Sequence, residues 1–240
     1  MKSFEDFNIS KQLLRAISDL GFQTPTPIQD EAYSVILSGK DIVGISQTGT
    51  GKTFAYMLPI LQQMSYSEQI APKVLILVPT RELVLQMVEM INSFSTYINV
   101  RVLGVYGGTN INTQKDMVVQ GCDILVATPG RLFDLAVSGA LQLKSVKKLV
   151  IDEVDIMLDL GFRPQLTSIF EMLKEKRQNI MFSATMTEEV AVLIEDYFVK
   201  PVKIAIEVSG TPLHNIAQSV YSVPNFNTKV NLLMELLKDK

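Results

Sequence analysis

Ser46-Gln47-Thr48-Gly49-Thr50-Gly51-Lys52-Thr53 follows the short apolar run DIVGIS at 41–46 and leads directly into the apolar segment FAYMLPIL. A β-prone run, a glycine-bearing loop and a helical pattern in that order make a phosphate cradle. Glycines let the backbone curl so that several N–H groups point at one anion, and the start of the helix adds its positive end. Lys52 supplies a full charge and Thr53 a hydroxyl for a magnesium ion. Ser46 stands where the common form of this loop opens with glycine, but the Gly-Lys-Thr ending is intact. A glycine turn serving only as a connection would not need strand, loop, Lys-Thr and helix to coincide.

Outward from this loop, further apolar runs recur: KVLILV at 73–78, VRVLGVY at 100–106, DILVAT at 123–128, KKLVID at 147–152, NIMFSA at 179–184 and VKIAIEV at 202–208. Runs this uniformly apolar suit strands covered on both faces. Between them lie amphipathic segments such as 82–94, 164–174 and 188–198, long enough for helices. The alternation predicts an α/β fold: a mostly parallel sheet of about seven strands with helices on both faces, a three-layer sandwich. Ahead of the first strand, Ser10 is placed to cap a helix over 11–20, and Pro25 and Pro27 break the chain before a second helix from Ile28. From Ser209 onward the pattern changes to a linker followed by one strand and one helix. Two such elements have little to pack against, so they read as the start of an incomplete second domain, which divides the chain into 1–208 and 209–240.

Composition narrows the chemistry. With 47% hydrophobic and 20% charged residues, 13 Gly and 10 Pro, the chain is neither disordered nor collagen-like. No stretch approaches the ~20 apolar residues of a membrane span, and the start, MKSFEDFNIS, lacks a signal core, so the expectation is a cytoplasmic protein with no membrane partner. Cys122 is the sole cysteine, which excludes an internal disulfide and reads as an inert, partly buried thiol. His214 is the sole histidine, so a zinc site or a Ser-His-Asp triad is poorly supported and it reads as a loop residue. A net charge of −3 speaks against a nonspecific polycation and leaves room for local phosphate contacts.

A phosphate cradle needs a metal and a base. KKLVID ends in Asp152-Glu153-Val154-Asp155, which sets acids at the carboxyl end of a strand in the same sheet, where open α/β sheets bind ligands. Asp152 suits a hydrated magnesium ion, and Glu153 is placed to orient or deprotonate an attacking water.

The ordered set made by 21–29 (GFQTPTPIQ), SQTGTGKT, Pro79-Thr80-Arg81-Glu82-Leu83, Gly107-Gly108, Thr128-Pro129-Gly130-Arg131, DEVD and Ser183-Ala184-Thr185 resembles the first RecA-like domain of a DEAD-box RNA helicase, over residues 1 to about 208. Val154 departs from the family pattern, which has alanine there. The resemblance implies ATP and magnesium as cofactors and RNA as a partner. It implies that Phe22 and Gln29 read adenine, the amide pairing with the base edge and the ring stacking on its face, with Phe4 buttressing that pocket. Gln47, Thr48, Gly49, Thr50, Gly51, Lys52 and Thr53 would hold the phosphates, Thr53 and Asp152 the metal through water. The hydroxyls of Ser183 and Thr185 would bond Asp155 and so tie the nucleotide to the RNA face. Pro79, Thr80, Arg81, Gly107, Gly108, Thr128, Pro129, Gly130 and Arg131 would line an RNA groove, using helix-end amides, a hydroxyl and arginines on backbone phosphates without reading bases.

In the family the arginines that stabilise phosphoryl transfer, and the other half of the groove, come from a second RecA-like domain, and no second set of motifs follows 208. The expectation is a core fragment of an ATP-dependent RNA helicase, nearly inactive by itself. Two alternatives stay open: a non-catalytic nucleotide-gated RNA-binding module, and another P-loop NTPase acting on DNA or on a small phosphoacceptor.

Overall fold

In a computed structural model, residues 3–47, 49–65, 68–206 and 219–238 are described. Thr48 and His214, singled out above, lie outside them, as does the linker over 209–218. The chain divides into two compact units, Met1–Glu207 and Val208–Lys240.

In the first unit a 3-10 turn, Phe4–Asp6, precedes α1 (Lys11–Asp19) and α2 (Pro27–Leu37). The alternating series follows: β1 (Ile42–Ile45), α3 (Lys52–Gln62), β2 (Val74–Leu77), α4 (Arg81–Phe94), β3 (Val102–Val105), α5 (Ile111–Gln120), β4 (Ile124–Ala127) and α6 (Pro129–Val137). It closes with β5 (Lys148–Asp152), α7 (Val154–Asp159), α8 (Arg163–Met172), β6 (Gln178–Ser183), α9 (Glu188–Tyr197) and β7 (Val202–Ala205). All seven expected strands form, in one sheet ordered β3-β4-β2-β5-β6-β1-β7, and every pairing is parallel. The layout is RecA-like.

Strand alternation sorts the core into two layers. Val74, Ile76, Ile124 and Val126 pack with α1 to α4 on one face, while Leu75, Leu77, Leu125 and Ala127 pack with α5 to α9 on the other. Helix starts follow local chemistry: Ser10 Oγ accepts from Leu13 N at 3.4 Å, Pro27 opens α2, and Thr80 Oγ1 accepts from Leu83 N at 3.3 Å to cap α4. Cys122 is buried, and burial pushes its thiol up to about 12, as suits an inert side chain. Among the described residues no helix is long and apolar enough to cross a membrane.

In the second unit, α10 (Phe226–Lys238) begins where Asn225 Oδ1 accepts from Thr228 N at 2.9 Å. The described residues ahead of it, 219–225, join no ladder, so the strand expected there is not formed among them. An isolated strand leaves its amides and carbonyls without a neighbouring chain to bond.

At the amino edge of the sheet a buried carboxylate joins the starts of β1, β6 and β7. Asp41 Oδ1 accepts from Asn179 N at 2.7 Å, and Oδ2 accepts from Asn179 Nδ2 at 3.1 Å and Val199 N at 2.9 Å. Asp41→Ala strands two backbone amides, and the expected outcome is a loss of about 2–4 kcal/mol in urea unfolding, with an unchanged m-value.

Candidate functional site

Because the sheet is all parallel, every named loop that follows a strand emerges at one edge. Reading along that edge, Gly107-Gly108 follows β3, Thr128–Arg131 follows β4, Pro79–Arg81 follows β2, Glu153 follows β5, Thr185 follows β6 and the glycine loop follows β1. Asp152 pairs in register with Phe182, and Ile45 with Ser183, so β6 alone separates the acids from the glycine loop.

The two meet in a cavity of about 360 Å³ lined by Gly49, Gly51, Lys52, Thr53, Asp152 and Glu153 at its polar end. Phe22, Phe54, Leu83, Met87, Met90 and Phe94 make the apolar end. Lys52 is 6% exposed and its Nζ has no hydrogen-bond partner. Asp152 is 5% exposed and its Oδ1 is likewise unpartnered. Burial raises the Asp152 carboxyl to about 6, opposed by the Tyr56 hydroxyl, the Lys52 charge and the Glu153 backbone amide and reinforced by the Glu153 charge. Buried charges without partners are costly, and such groups mark places where a ligand completes the bonding. An anion suits the ammonium; a hydrated cation suits the carboxylate and the Thr53 hydroxyl beside it.

The loop is shaped for this. Gly49 and Gly51 take φ of +83° and +87°, a region that disfavours side chains, and a Cβ on Gly51 would collide with the Gln29 amide. Gln29 straps two segments together: its Oε1 accepts from Thr26 N at 3.0 Å, and its Nε2 donates to Gly51 O at 3.2 Å. Thr50 Oγ1 donates to Gln47 O at 2.9 Å, closing the turn from within, and Gln47 itself is exposed. Phe22, 46% exposed at the rim, stacks on Phe54, which stacks on Phe94 in turn. Phe4 is buried edge-on against Phe54, so it buttresses this wall at one remove. Glu153 sits at φ 57°, ψ 46°, left-handed for a non-glycine residue, at the start of α7. Such strain persists where surrounding structure holds it, and it accumulates at functional sites. Val154 is fully buried against α5–α9, so the added methyls fill core space.

One expected contact is different. Thr185 N and Oγ1 both donate to Asp155 Oδ2, at 3.0 and 2.9 Å, but Ser183 Oγ donates to Thr185 O at 2.7 Å instead of reaching Asp155. Ser183 is the last residue of β6 and fully buried, so its hydroxyl closes the strand-end turn.

Farther along the edge, Arg131 is buried, with Nη1 donating to Gln114 Oε1 at 2.8 Å and Nη2 to Thr109 O at 2.9 Å. Gln114 Nε2 donates to Tyr106 O at 3.2 Å and Thr109 Oγ1 at 2.8 Å. Arg81 lies over the Tyr106 ring, 5.0 Å from its centroid. Three loops are thus wired to one another. Gly107 and Gly108 are exposed between them, while Pro79, Thr128 and Pro129 are buried and Gly130 is half-buried.

The family model for the DEAD/DEAH box helicase matches residues 26–193. The chain belongs to the DEAD/DEAH box helicase family. Among its relatives, the ATP-dependent RNA helicase RhlB of Pseudomonas syringae pv. tomato is 40% identical over 98% of this chain and 62% of its own length. The ATP-dependent RNA helicase dbp2 of Schizosaccharomyces pombe is 38% identical over 99% of this chain and 45% of its own. A probable ATP-dependent RNA helicase, ddx17 of Dictyostelium discoideum, is 41% identical over 92% and 29%. The chain therefore spans less than two thirds of the length of the curated relatives it matches.

Two residues of this DEAD/DEAH box domain that sequence reasoning passed over carry the site's internal bonding. Tyr56, fully buried on α3, donates its hydroxyl to Asp152 Oδ2 at 2.8 Å, and burial together with the Asp152 charge holds the phenol well above its usual value. Its position four residues after Lys52, one helical turn on, was the available signal. Gln114 gave no signal, because a helical glutamine is ordinarily a solvated residue.

The folded chain keeps the Asp152 proton up to about pH 6, the unfolded chain only to the ordinary 3.8. Between those values the folded state binds more protons, so stability falls as pH rises through the window and this penalty is complete above it. D152N removes a penalty of up to about 3 kcal/mol. The expected outcome is a higher unfolding midpoint for the ligand-free variant at pH 7.5, with the gain shrinking toward pH 4; a gain equal at both pH values would contradict it.

Proposed function

We propose that this chain is the ATP-binding half of an RNA-remodelling ATPase, acting with a second RecA-like domain. The observation that carries the reading is the pair of buried, unpartnered groups, Lys52 Nζ and Asp152 Oδ1, lining one cavity. Lys52 and the amides around Gly49 and Gly51 would bind the phosphates. Thr53 and Asp152 would hold magnesium, largely through water, and bound magnesium supplies charge neutralisation across the phosphates. Among the described residues no cluster of three or more acids, histidines or cysteines forms a cation cage. A hydrated ion on one carboxylate and one hydroxyl requires none. Phe22 would stack on the adenine ring, and Gln29, with an N–H and a lone pair left after its two bonds, would read the base edge. Glu153 would orient the attacking water.

On the same reading, the exposed glycines and the helix starts at Thr80 and Thr128 would hold a single RNA strand by its phosphates, with Arg81 at the surface and Arg131 bracing the loops from below. The names of the relatives above, each an RNA helicase, support RNA over DNA. Lys52 is the one basic side chain lining the cavity among the described residues, so the arginines that speed phosphoryl transfer, by about 10³ to 10⁵, would come from the second domain.

Titration of the isolated chain with a fluorescent ATP analogue tests this. Lys52→Ala is expected to abolish binding, whereas Glu153→Gln leaves binding largely intact and removes the hydrolysis restored by adding the second domain. Equal loss of binding in both variants would make Glu153 structural, and rapid RNA-stimulated turnover by the isolated chain would overturn the division of labour. Gln114→Ala is expected to weaken single-stranded RNA binding several-fold while leaving nucleotide affinity unchanged, measured by fluorescence anisotropy at fixed salt.

A further inference from the structure

Helix α3 runs KTFAYMLPILQ, and all of its residues but two are buried. A tyrosine in such a helix carries a hydroxyl that must find a partner or pay desolvation, and phenylalanine would fill almost the same volume without one. The Tyr56 hydroxyl donates to Asp152 Oδ2 at 2.8 Å and lies 3.5 Å from Met87 Sδ, a weak acceptor. Its strong partner is the carboxylate. Tyr56 is fully buried and does not line the cavity, so it meets Asp152 from behind the wall that faces the ligand.

The other carboxylate oxygen, Oδ1, is buried and unpartnered. One oxygen of Asp152 is therefore tethered and the other is left open. An untethered carboxylate at a strand end turns about its side-chain bonds and spreads its charge over several orientations. A tethered one presents a single oxygen in one place. We infer that Tyr56 is a positioning residue for the metal, holding Asp152 so that Oδ1 alone faces a hydrated divalent cation. Lys52, Thr53 and Tyr56 lie on one turn of α3, so the helix that would bind the phosphates also sets the carboxylate on β5. The spacing between phosphate and metal would then depend on α3 at both ends, with β5 carrying the carboxylate.

This inference rests on the ATP–magnesium reading, and the test separates the two. The fluorescent ATP analogue is titrated into the full chain with magnesium and again with EDTA, and the ratio of the two dissociation constants measures what the metal contributes. Tyr56→Phe is expected to shrink that ratio about tenfold, as loss of one hydrogen bond to a charged group would, while leaving affinity in EDTA close to wild type and the chain folded at the assay temperature, with the unfolding midpoint somewhat lowered by the unpartnered carboxylate. In a D152N background the same substitution is expected to leave the ratio unmoved, because the tethered charge is already gone. An unchanged ratio in Tyr56→Phe overturns the inference. So does an equal loss with and without metal, which is the signature of a merely structural hydroxyl, or an additive effect in the D152N background. A wild-type chain whose nucleotide affinity ignores magnesium would remove the metal reading itself, and this inference with it.

Discussion

Two opposite charges, Lys52 and Asp152, are buried in one cavity without a hydrogen bond between them. Left to themselves, charges at this depth would pair or neutralise, because the interior solvates neither. Here each is held by its own scaffold: the lysine at the first position of α3, the carboxylate at the end of β5 with one oxygen on Tyr56. Around them stand the left-handed Glu153, the left-handed Gly49 and Gly51 and the Gln29 strap onto Gly51. Burial, more than any neighbour, raises the Asp152 carboxyl.

The sheet makes the separation possible. Strand β6 lies between β1 and β5, so the glycine loop and the acids are two strands apart, far enough to stay distinct and close enough to share a cavity. The same spacer carries Thr185, which grips Asp155 one residue beyond Val154 with its amide and its hydroxyl. Two hydrogen bonds to one oxygen thus fasten the turn after β6 to the start of α7. On the far side of β5, the loops after β2, β3 and β4 are joined through Gln114, Arg131 and the Arg81–Tyr106 contact. Gln114 and Arg131 are the buried members of that network, and Arg81 is its exposed end.

Fold class and most of the cavity's polar residues were legible because they depend on local rules. Apolar runs of six or seven residues, separated by helical patterns, suit strands of a parallel sheet covered on both faces. Gly-Lys-Thr after such a run announces the anion site, and DEVD at the end of another announces the acids. The bonds from Tyr56 and Gln114 were not legible in the same way. Each is a polar side chain on a helix, and what it bonds lies 96 residues away for Tyr56 and 17 for the Gln114–Arg131 pair. Ser183 shows the reverse case: its hydroxyl was expected on Asp155, yet the turn after β6 offered a nearer carbonyl.

The sequence by itself determined the seven strands of the sheet, the loops that follow them and the chemical kind of each group, because residue type and spacing set those locally. Only the tertiary structure decided the strand order that brings Asp152 beside Lys52, which groups are left unpartnered, and which residues serve from behind. Those properties depend on what lies next to a side chain after the chain has crossed over, and no local pattern encodes the neighbour across a sheet.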